Sequence, residues 1–310
     1  MYSLYPELSP YQQHWLDVGQ GHQLYLEESG NRLGLPVLVI HGGPGSGCSP
    51  ILRRFFDPQR YRIILFDQRG CGQSRASQVL TENHSQALVE DMERIRLHLG
   101  IEQWLLWGGS WGSALALYYG QLHPRQILGF ILRGIFLARP QDIAWNYQAG
   151  NGASRLYPSL WHELCQGQPL IDDSLLATYQ QRLHSSNELE QMQAARLWWR
   201  WMEREQHHQL PQPHPELLNR SRIHCHYLTQ QCFLQHHPLL EHMTHLAQHP
   251  AILIQGELDT ICPAEQAWQL YQHWPSAELH WVKGGRHSPL EPSMVDNLIR
   301  ASRHFALRSA

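Results

Sequence analysis

Short apolar runs alternate with amphipathic stretches along most of the chain, and this alternation predicts the fold. The runs predict strands at 37–40, 62–66, 104–107 and 129–133, with helices near 85–99 and 112–122. Such alternation is typical of a parallel sheet with helices on both faces. Before it, 14–18 and 22–27 flank Gly19-Gln20-Gly21 and predict a hairpin.

The pattern changes between residues 140 and 240. This segment is rich in Trp, Gln, His and Leu, contains helix-like stretches such as Glu188 to Gln206, and has no strand pattern. We therefore predict an α/β core made of residues 1–139 and 241–310, interrupted by a helical cap at 140–240.

The core pattern resumes after residue 250. Strands are predicted at 251–255 and 278–282, and a closing helix at Ser293 to Leu307 with Ser293 as its N-cap. Both strands are followed by glycine-bearing loops.

Composition narrows the function classes. The 310 residues are 42% hydrophobic and 16% charged, with a net charge of −3, so a large core is expected and nucleic acid or a membrane surface is not an expected partner. There is no signal-like N-terminus and no apolar run near the ~20 residues of a membrane span. With six cysteines that lack paired spacing, these features predict a cytoplasmic protein with free thiols. The oligomeric state is left open.

The chemistry is signalled by Gly108-Gly109-Ser110-Trp111-Gly112, which links the 104–107 strand to the 112–122 helix. A serine in a tight strand-to-helix turn exposes its hydroxyl, and small neighbours are needed where strand and helix meet. Ser110 is therefore the predicted nucleophile.

An acid and a base follow in the order serine, acid, histidine, which is the order of α/β hydrolases. Asp259 follows the 251–255 strand, with Glu257 as a nearby rival, and His287 follows the 278–282 strand. Carboxyl ends of parallel strands share one edge of the sheet. We expect His287 to take the Ser110 proton and Asp259 to orient the imidazole.

Oxyanion donors are the remaining requirement of acyl transfer. One is the backbone N–H of Trp111, after the nucleophile; the other is predicted at Gly43, in the His41-Gly42-Gly43-Pro44-Gly45 loop after the 37–40 strand. The loop lacks the spacing and the lysine of a phosphate-binding loop.

At these residues the chain resembles the proline iminopeptidase (prolyl aminopeptidase) family of α/β hydrolases. The similar stretches are 41–45, 56–58 with 67–74, 108–113, 132–136 and, in the early cap, 152–154 with 157–158. The combination of Asp-Gln-Arg-Gly with Gly-Gly-Ser-Trp-Gly-Ser is specific to this group. The 67–74 stretch is interpreted as an architectural turn.

The resemblance implies an α/β-hydrolase fold with an inserted helical cap and release of N-terminal proline from small peptides, without a metal or other cofactor. It implies an apolar slot for the pyrrolidine ring, with Phe136, Tyr147 and Leu228 as candidates, although the family tends to carry an aromatic at Leu228. It also implies anionic groups that hold the substrate's amine.

The chain departs from the family at those anionic groups. The family's glutamate after Trp-x-x-Trp corresponds to Met202, with Glu203 one residue late, and its glutamate before His-Tyr corresponds to His224. A shift of one residue along a helix turns the side chain by about 100° around the axis, so Glu203 reaches the site only if the helix is locally rewound. The alternative is that Glu203 and Glu205 are solvated charges on the helix surface. His224, neutral or cationic at neutral pH, would repel an ammonium group or favour a substrate without one.

Three functions remain open. The first is a prolyl aminopeptidase, the second an esterase or amidase with altered specificity, and the third a non-catalytic binding protein of the same fold. The expected partner is a small peptide, amide or ester substrate.

Overall fold

The computed structural model describes residues 1–166, 174–205, 212 and 214–308. The strands in this part are β1 Gln12–Gly19, β2 His22–Gly30, β3 Leu35–Ile40, β4 Tyr61–Phe66, β5 Arg75–Ala76, β6 Trp104–Ser110, β7 Ile127–Ile135, β8 Ala251–Gly256 and β9 Ala277–Val282. They form one sheet in the order β1-β2-β4-β3-β6-β7-β8-β9, with β5 beside β2.

The sheet is mostly parallel. From β4 through β3, β6, β7 and β8 to β9, all neighbouring strands run in the same direction. The exceptions are the antiparallel pairs that β2 makes with β1, β4 and β5. The prediction of an α/β fold with a mostly parallel sheet is therefore confirmed.

Ten α-helices lie in the described part of the chain. They are α1 Ser85–His98, α2 Trp111–Leu122, α3 Pro140–Tyr147, α4 Gly152–Leu156, α5 Pro158–Leu164, α6 Ser174–Leu183, α7 Glu188–Met202, α8 Pro215–Thr229, α9 Ala264–Gln272 and α10 Pro292–Arg308. None of those helices is both long enough and apolar enough to cross a membrane. All six cysteines are free thiols.

Two apolar clusters, one on each face of the sheet, explain why central strands such as β3 are hydrophobic at successive positions. Leu38 and Ile40 pack in one cluster with α1 and α2, whereas Val37 and Val39 pack in the other with α10. Successive side chains of a strand point to opposite faces, so a strand covered on both faces must be apolar at every position.

The segment from 140 to 240 holds α3 to α8, and its described residues include no strand. The helices α6, α7 and α8 pack on one another, and α5 packs on α7. This helical layer separates β7 from β8 in sequence, although the two strands are neighbours in the sheet.

The prediction is wrong at the start of the closing helix and at the end of α7. The closing helix begins at Pro292, and the carbonyl of Glu291 accepts from the N–H of Val295 at 2.9 Å, so Ser293 lies inside the helix and is not its N-cap. Proline suits the first helical position because its missing N–H would have no partner there. The helix predicted to reach Gln206 ends at Met202, and Gln206 itself lies outside the described residues.

Candidate active site

Ser110 stands at the junction of β6 and α2 in a strained backbone conformation. Its φ is 55° and its ψ is −128°, a region that non-glycine residues rarely adopt. A Cβ at Gly108 would come within 2.3 Å of the Gly112 carbonyl, and one at Gly112 within 2.2 Å of the Ile40 carbonyl. The two glycines are therefore required by close backbone contacts, which are the contacts that form the turn carrying Ser110.

Asp259 and His287 form a hydrogen-bonded pair in which Asp259 is buried and His287 is half-buried. Asp259 Oδ2 lies 2.8 Å from His287 Nδ1, and Asp259 Oδ1 accepts from the backbone N–H groups of Ile261 at 2.9 Å and Cys262 at 2.8 Å. The carboxylate can only accept, so Nδ1 carries the proton and Nε2 is left free as a base. The rival Glu257 is exposed and contacts Gly284 N instead.

Neighbouring residues of β7 fix the position of the histidine. A Cβ at Gly134, whose φ is +50°, would approach His287 Cε1 to 3.0 Å, and the Arg133 guanidinium donates to the His287 carbonyl at 2.8 Å. Ser110 and His287 line the same cavity, and Ser110 Oγ lies 3.9 Å from Cys262 Sγ.

The glycine loop after β3 approaches the elbow from the other side. A Cβ at Gly42 would lie 3.2 Å from the Gly109 carbonyl and 3.5 Å from Ser110 Cβ. Gly43 follows with a φ of +113°, which favours glycine, and lines the cavity. The candidate donors Gly43 and Trp111 thus lie on the two backbone segments that converge at Ser110.

The 67–74 stretch braces both segments. The Gln68 side chain donates to the His41 carbonyl and accepts from the Trp111 indole, each at 3.0 Å, and its backbone N–H donates to His41 Nε2. Asp67 is buried and accepts from the backbone of Cys48 and Gln73. These contacts are those of an architectural turn beside the site.

A cavity of about 440 Å³ lies over Ser110. All five predicted substrate-binding residues line it: Phe136, Tyr147, Glu203, His224 and Leu228. Met202 lines it as well, and Tyr147 stacks on Trp198 with ring centroids 5.1 Å apart. The cavity therefore combines apolar side chains with about as many polar and charged ones.

His224 is a neutral side chain in this wall. Burial, helped by the nearby Arg220 charge, lowers the pKa of His224 to about 3, against the opposing effect of a hydrogen bond to the Gly43 backbone. Its Nδ1 accepts from the Trp198 indole at 3.0 Å, which requires an unprotonated Nδ1. The expectation that His224 could be cationic at neutral pH is thus wrong, because desolvation disfavours the charged ring.

Glu203 reaches the cavity because α7 ends one residue before it. Its φ of −93° and ψ of 21° place it at the C-cap, outside the helical turn. Glu203 Oε1 lies 3.3 Å from Arg220, which also donates to Ser46 at 3.2 Å. Glu203 is therefore a cavity residue and not a solvated helix charge.

The other carboxylates of the cavity wall have shorter contacts than the 3.3 Å between Glu203 and Arg220. Asp142 is buried and held by two nitrogens of Arg139 at 2.7 and 2.9 Å. Glu291 accepts from the Arg286 N–H at 2.9 Å. Glu205 accepts from Thr260 and from His287, and no sequence pattern pointed to that role, because its partners lie 55 and 82 residues away.

The buried histidines predict how stability depends on pH. Burial lowers the pKa of His41 to about 4 and that of His224 to about 3, whereas an unfolded histidine titrates near 6.5. Below pH 6.5 the unfolded chain binds more protons than the folded chain. The free energy of unfolding therefore decreases as the pH is lowered, until the pH reaches the pKa values of the folded state. Between pH 7.5 and 5.5 the expected total loss is roughly 1.4 kcal/mol for each histidine, measured by urea denaturation.

Two variants separate this effect from general acid sensitivity. In His224→Gln the amide oxygen can still accept from Trp198. This variant should reduce the pH dependence of the free energy of unfolding by the contribution of one histidine. Substitution of the exposed His162 by Gln should leave it as in the parent protein. An unchanged slope in His224→Gln would contradict the assignment of a buried neutral ring.

The chain is similar to known proteins over most of its length. The profile of the α/β hydrolase fold family matches residues 36–292. The chain is 40% identical over 315 residues to a proline iminopeptidase of Xylella fastidiosa, covering 98% of this chain and 100% of that protein. A proline iminopeptidase of Arabidopsis thaliana is 40% identical over 313 residues, covering 97% and 81%.

The chain belongs to the proline iminopeptidase family. It is accordingly an enzyme, a hydrolase with the α/β-hydrolase fold. A relative from Neisseria gonorrhoeae, also a proline iminopeptidase, is 37% identical over 305 residues and covers 96% of this chain and 97% of its own length. Among solved structures, a proline iminopeptidase of Mycobacterium smegmatis has a TM-score of 0.63 at 18% identity, covering 96% of this chain and 100% of that one, which shows the shared fold.

Proposed function

We propose that this family member is a serine peptidase that releases N-terminal proline from small peptides through an acyl-enzyme on Ser110. The observation that carries the proposal is the Asp259–His287 pair at 2.8 Å, on the cavity that also holds the strained Ser110. Full-length similarity to proline iminopeptidases supports the substrate class.

The proposed reaction gives each of these groups one step. His287 Nε2 takes the proton of Ser110 Oγ as the oxygen attacks the scissile carbonyl, and the backbone N–H groups of Trp111 and Gly43 stabilise the oxyanion. His287 then returns the proton to the leaving amine. Water attacks the prolyl ester by the same route and frees Ser110. Throughout, Asp259 holds the imidazole tautomer and stabilises its charged form.

The cavity wall supports a small apolar acyl group. Phe136, Tyr147 and Leu228 offer apolar surface suited to a pyrrolidine ring, and Leu228, smaller than an aromatic, makes that slot wider. Glu203 is the proposed partner of the ring nitrogen, because its contact with Arg220 is a single one at 3.3 Å. A substrate cation therefore competes with Arg220 for this carboxylate.

A second candidate is hydrolysis of an uncharged small amide or ester. It is favoured by Met202 and the neutral His224, which occupy the positions where the family resemblance implies carboxylates. A cationic amine buried without an anionic partner is costly, so a pocket without a free carboxylate selects against it.

The deciding experiment compares L-proline 4-nitroanilide, its N-acetyl analogue and 4-nitrophenyl acetate, with Ser110→Ala as the blank. Preference for the free-amine anilide supports the prolyl aminopeptidase. Turnover of the ester or the acetylated anilide with little prolyl anilide activity supports the second candidate. No Ser110-dependent turnover of any of them would refute both.

Glu203→Gln tests the amine contact directly. Removal of the carboxylate leaves the Arg220 charge uncompensated beside the amine, so KM for L-proline 4-nitroanilide should rise about tenfold, the equivalent of ~1.4 kcal/mol. The acetylated anilide and the ester, which have no cation, serve as controls and should keep their KM. An equal change for all three substrates would contradict a specific contact with the amine.

The proposal includes a cytoplasmic location, with a small peptide as the partner and neither nucleic acid nor a membrane. The net charge of −3 and the scattered basic residues support the exclusion of nucleic acid and of a membrane surface. No metal or cofactor has a part in the proposed steps.

A further inference from the structure

Glu205 joins the two loops that carry Asp259 and His287. Its Oε1 accepts from the Thr260 backbone N–H at 2.6 Å and from the Thr260 hydroxyl at 2.5 Å. Its Oε2 accepts from the His287 backbone N–H at 2.9 Å. Each carboxylate oxygen thus serves one loop, and Thr260 directly follows Asp259 in the chain.

The helical segment between residues 140 and 240 also binds the carbonyl and the hydroxyl of Thr260. The Thr260 carbonyl accepts from the Trp145 indole at 2.9 Å and from Arg204 at 3.1 Å, and the Tyr157 hydroxyl lies 2.9 Å from Thr260 Oγ1. All three partners lie between residues 140 and 240. The residue after the candidate acid is therefore fixed by the helical layer and not by the sheet.

The turn formed by residues 202–205, which carries Glu205, also lines the cavity. Met202, Glu203, Arg204 and Glu205 all contribute to the wall. A group that touches Met202 or Glu203 is thus only two or three residues from the contacts that fix Thr260 and His287.

We propose that Glu205 is a positioning residue, through which the helical segment sets the alignment of the Asp259–His287 pair. The inference rests on the proposed roles of Ser110, Asp259 and His287, and it does not depend on proline as the substrate. It also assigns the helical segment a part in building the acid–base pair, because moving the 202–205 turn away from the sheet would break the Thr260 and His287 contacts together.

The bridge requires a carboxylate. Three N–H or O–H groups point at its two oxygens, and only a carboxylate accepts at both ends. In Glu205→Gln the amide oxygen can face one loop, but the NH₂ group then meets the donor of the other. One loop must shift, and a displacement of about 1 Å in a catalytic group can lower the rate about a hundredfold.

The test uses Glu205→Gln in the full chain, with the rate of covalent labelling of Ser110 by a fluorophosphonate and kcat on 4-nitrophenyl acetate as readouts. Both should fall about 10- to 100-fold while KM stays within about threefold, since the contact acts on the reacting pair and not on binding. Glu163→Gln is the matched control, because Glu163 pairs with Arg200 at 3.1 Å outside the cavity and should keep its parent rates.

A labelling rate and kcat of Glu205→Gln within about twofold of the parent, or a change in KM alone, would overturn the inference. If Glu205→Gln does not fold, as judged by circular dichroism, Glu205→Asp replaces it. Its carboxylate is one methylene shorter and cannot span the backbone N–H groups of Thr260 and His287, so an unchanged labelling rate there would equally overturn the inference. Failure of the prolyl substrate in the parent protein refutes the proposed specificity and leaves this test intact, because neither readout contains proline.

Discussion

Substitution of Ser110 by alanine is expected to lower kcat about a millionfold and to abolish covalent labelling by a fluorophosphonate. The reason is that Cys262, the nucleophilic side chain beside Ser110, cannot replace it. Cys262 Sγ lies 3.9 Å from Ser110 Oγ, but burial and the Asp259 charge raise the pKa of its thiol well above the usual range. The thiol thus stays protonated and is a poor nucleophile.

The measurement is kcat on the best of the three test substrates, with mass spectrometry of the labelled protein. The variant should keep the parent fold, because removal of one hydroxyl leaves the backbone contacts of Gly108 and Gly112 in place. Labelling of Ser110→Ala at the parent rate, or mapping of the label to Cys262, would refute Ser110 as the nucleophile.

Asp259→Asn is expected to lower kcat about ten-thousandfold with little change in structure. The Oδ1 position faces the backbone N–H groups of Ile261 and Cys262, so the asparagine must place its oxygen there. Its NH₂ group then faces His287 Nδ1 and donates to it. This contact reverses the tautomer, moves the ring proton to Nε2 and removes the base that Ser110 needs.

Glu257→Gln is the control for that experiment. Glu257 is the rival acid in the same loop. It is exposed, and its Oε2 lies 3.4 Å from Gly284 N, whereas His287 Nδ1 pairs with Asp259. Its substitution should change kcat less than twofold, as is usual for a surface position. The reverse result, a large loss in Glu257→Gln and none in Asp259→Asn, would assign the acid to Glu257.

Much of the fold could be predicted because its strands are buried on both faces. Continuous apolar runs such as 37–40 have few alternatives to a central strand of a parallel sheet, and the confirmed α/β fold rests on such runs. Element ends were less predictable. Ser293 has the chemistry of an N-cap, yet Pro292 before it already occupies the first helical position, and only the chain path selects between them.

The side chains around the cavity show a second limit. Glu203 and Glu205 look alike in sequence, as polar residues after an amphipathic helix. In the structure one faces Arg220 across the cavity wall, and the other binds the loops of Asp259 and His287. The difference comes from where α7 stops, and that is fixed by packing against residues distant in the chain.

The sequence by itself determined the α/β order of elements, the glycines of the elbow and the identity of the serine, acid and histidine candidates, because local chemistry and strand order restrict these choices strongly. Only the tertiary structure decided that Asp259 rather than Glu257 faces His287, that His224 is neutral, and that the 202–205 turn reaches the site. Each of these depends on burial or on contacts between residues far apart in sequence, which no local pattern encodes.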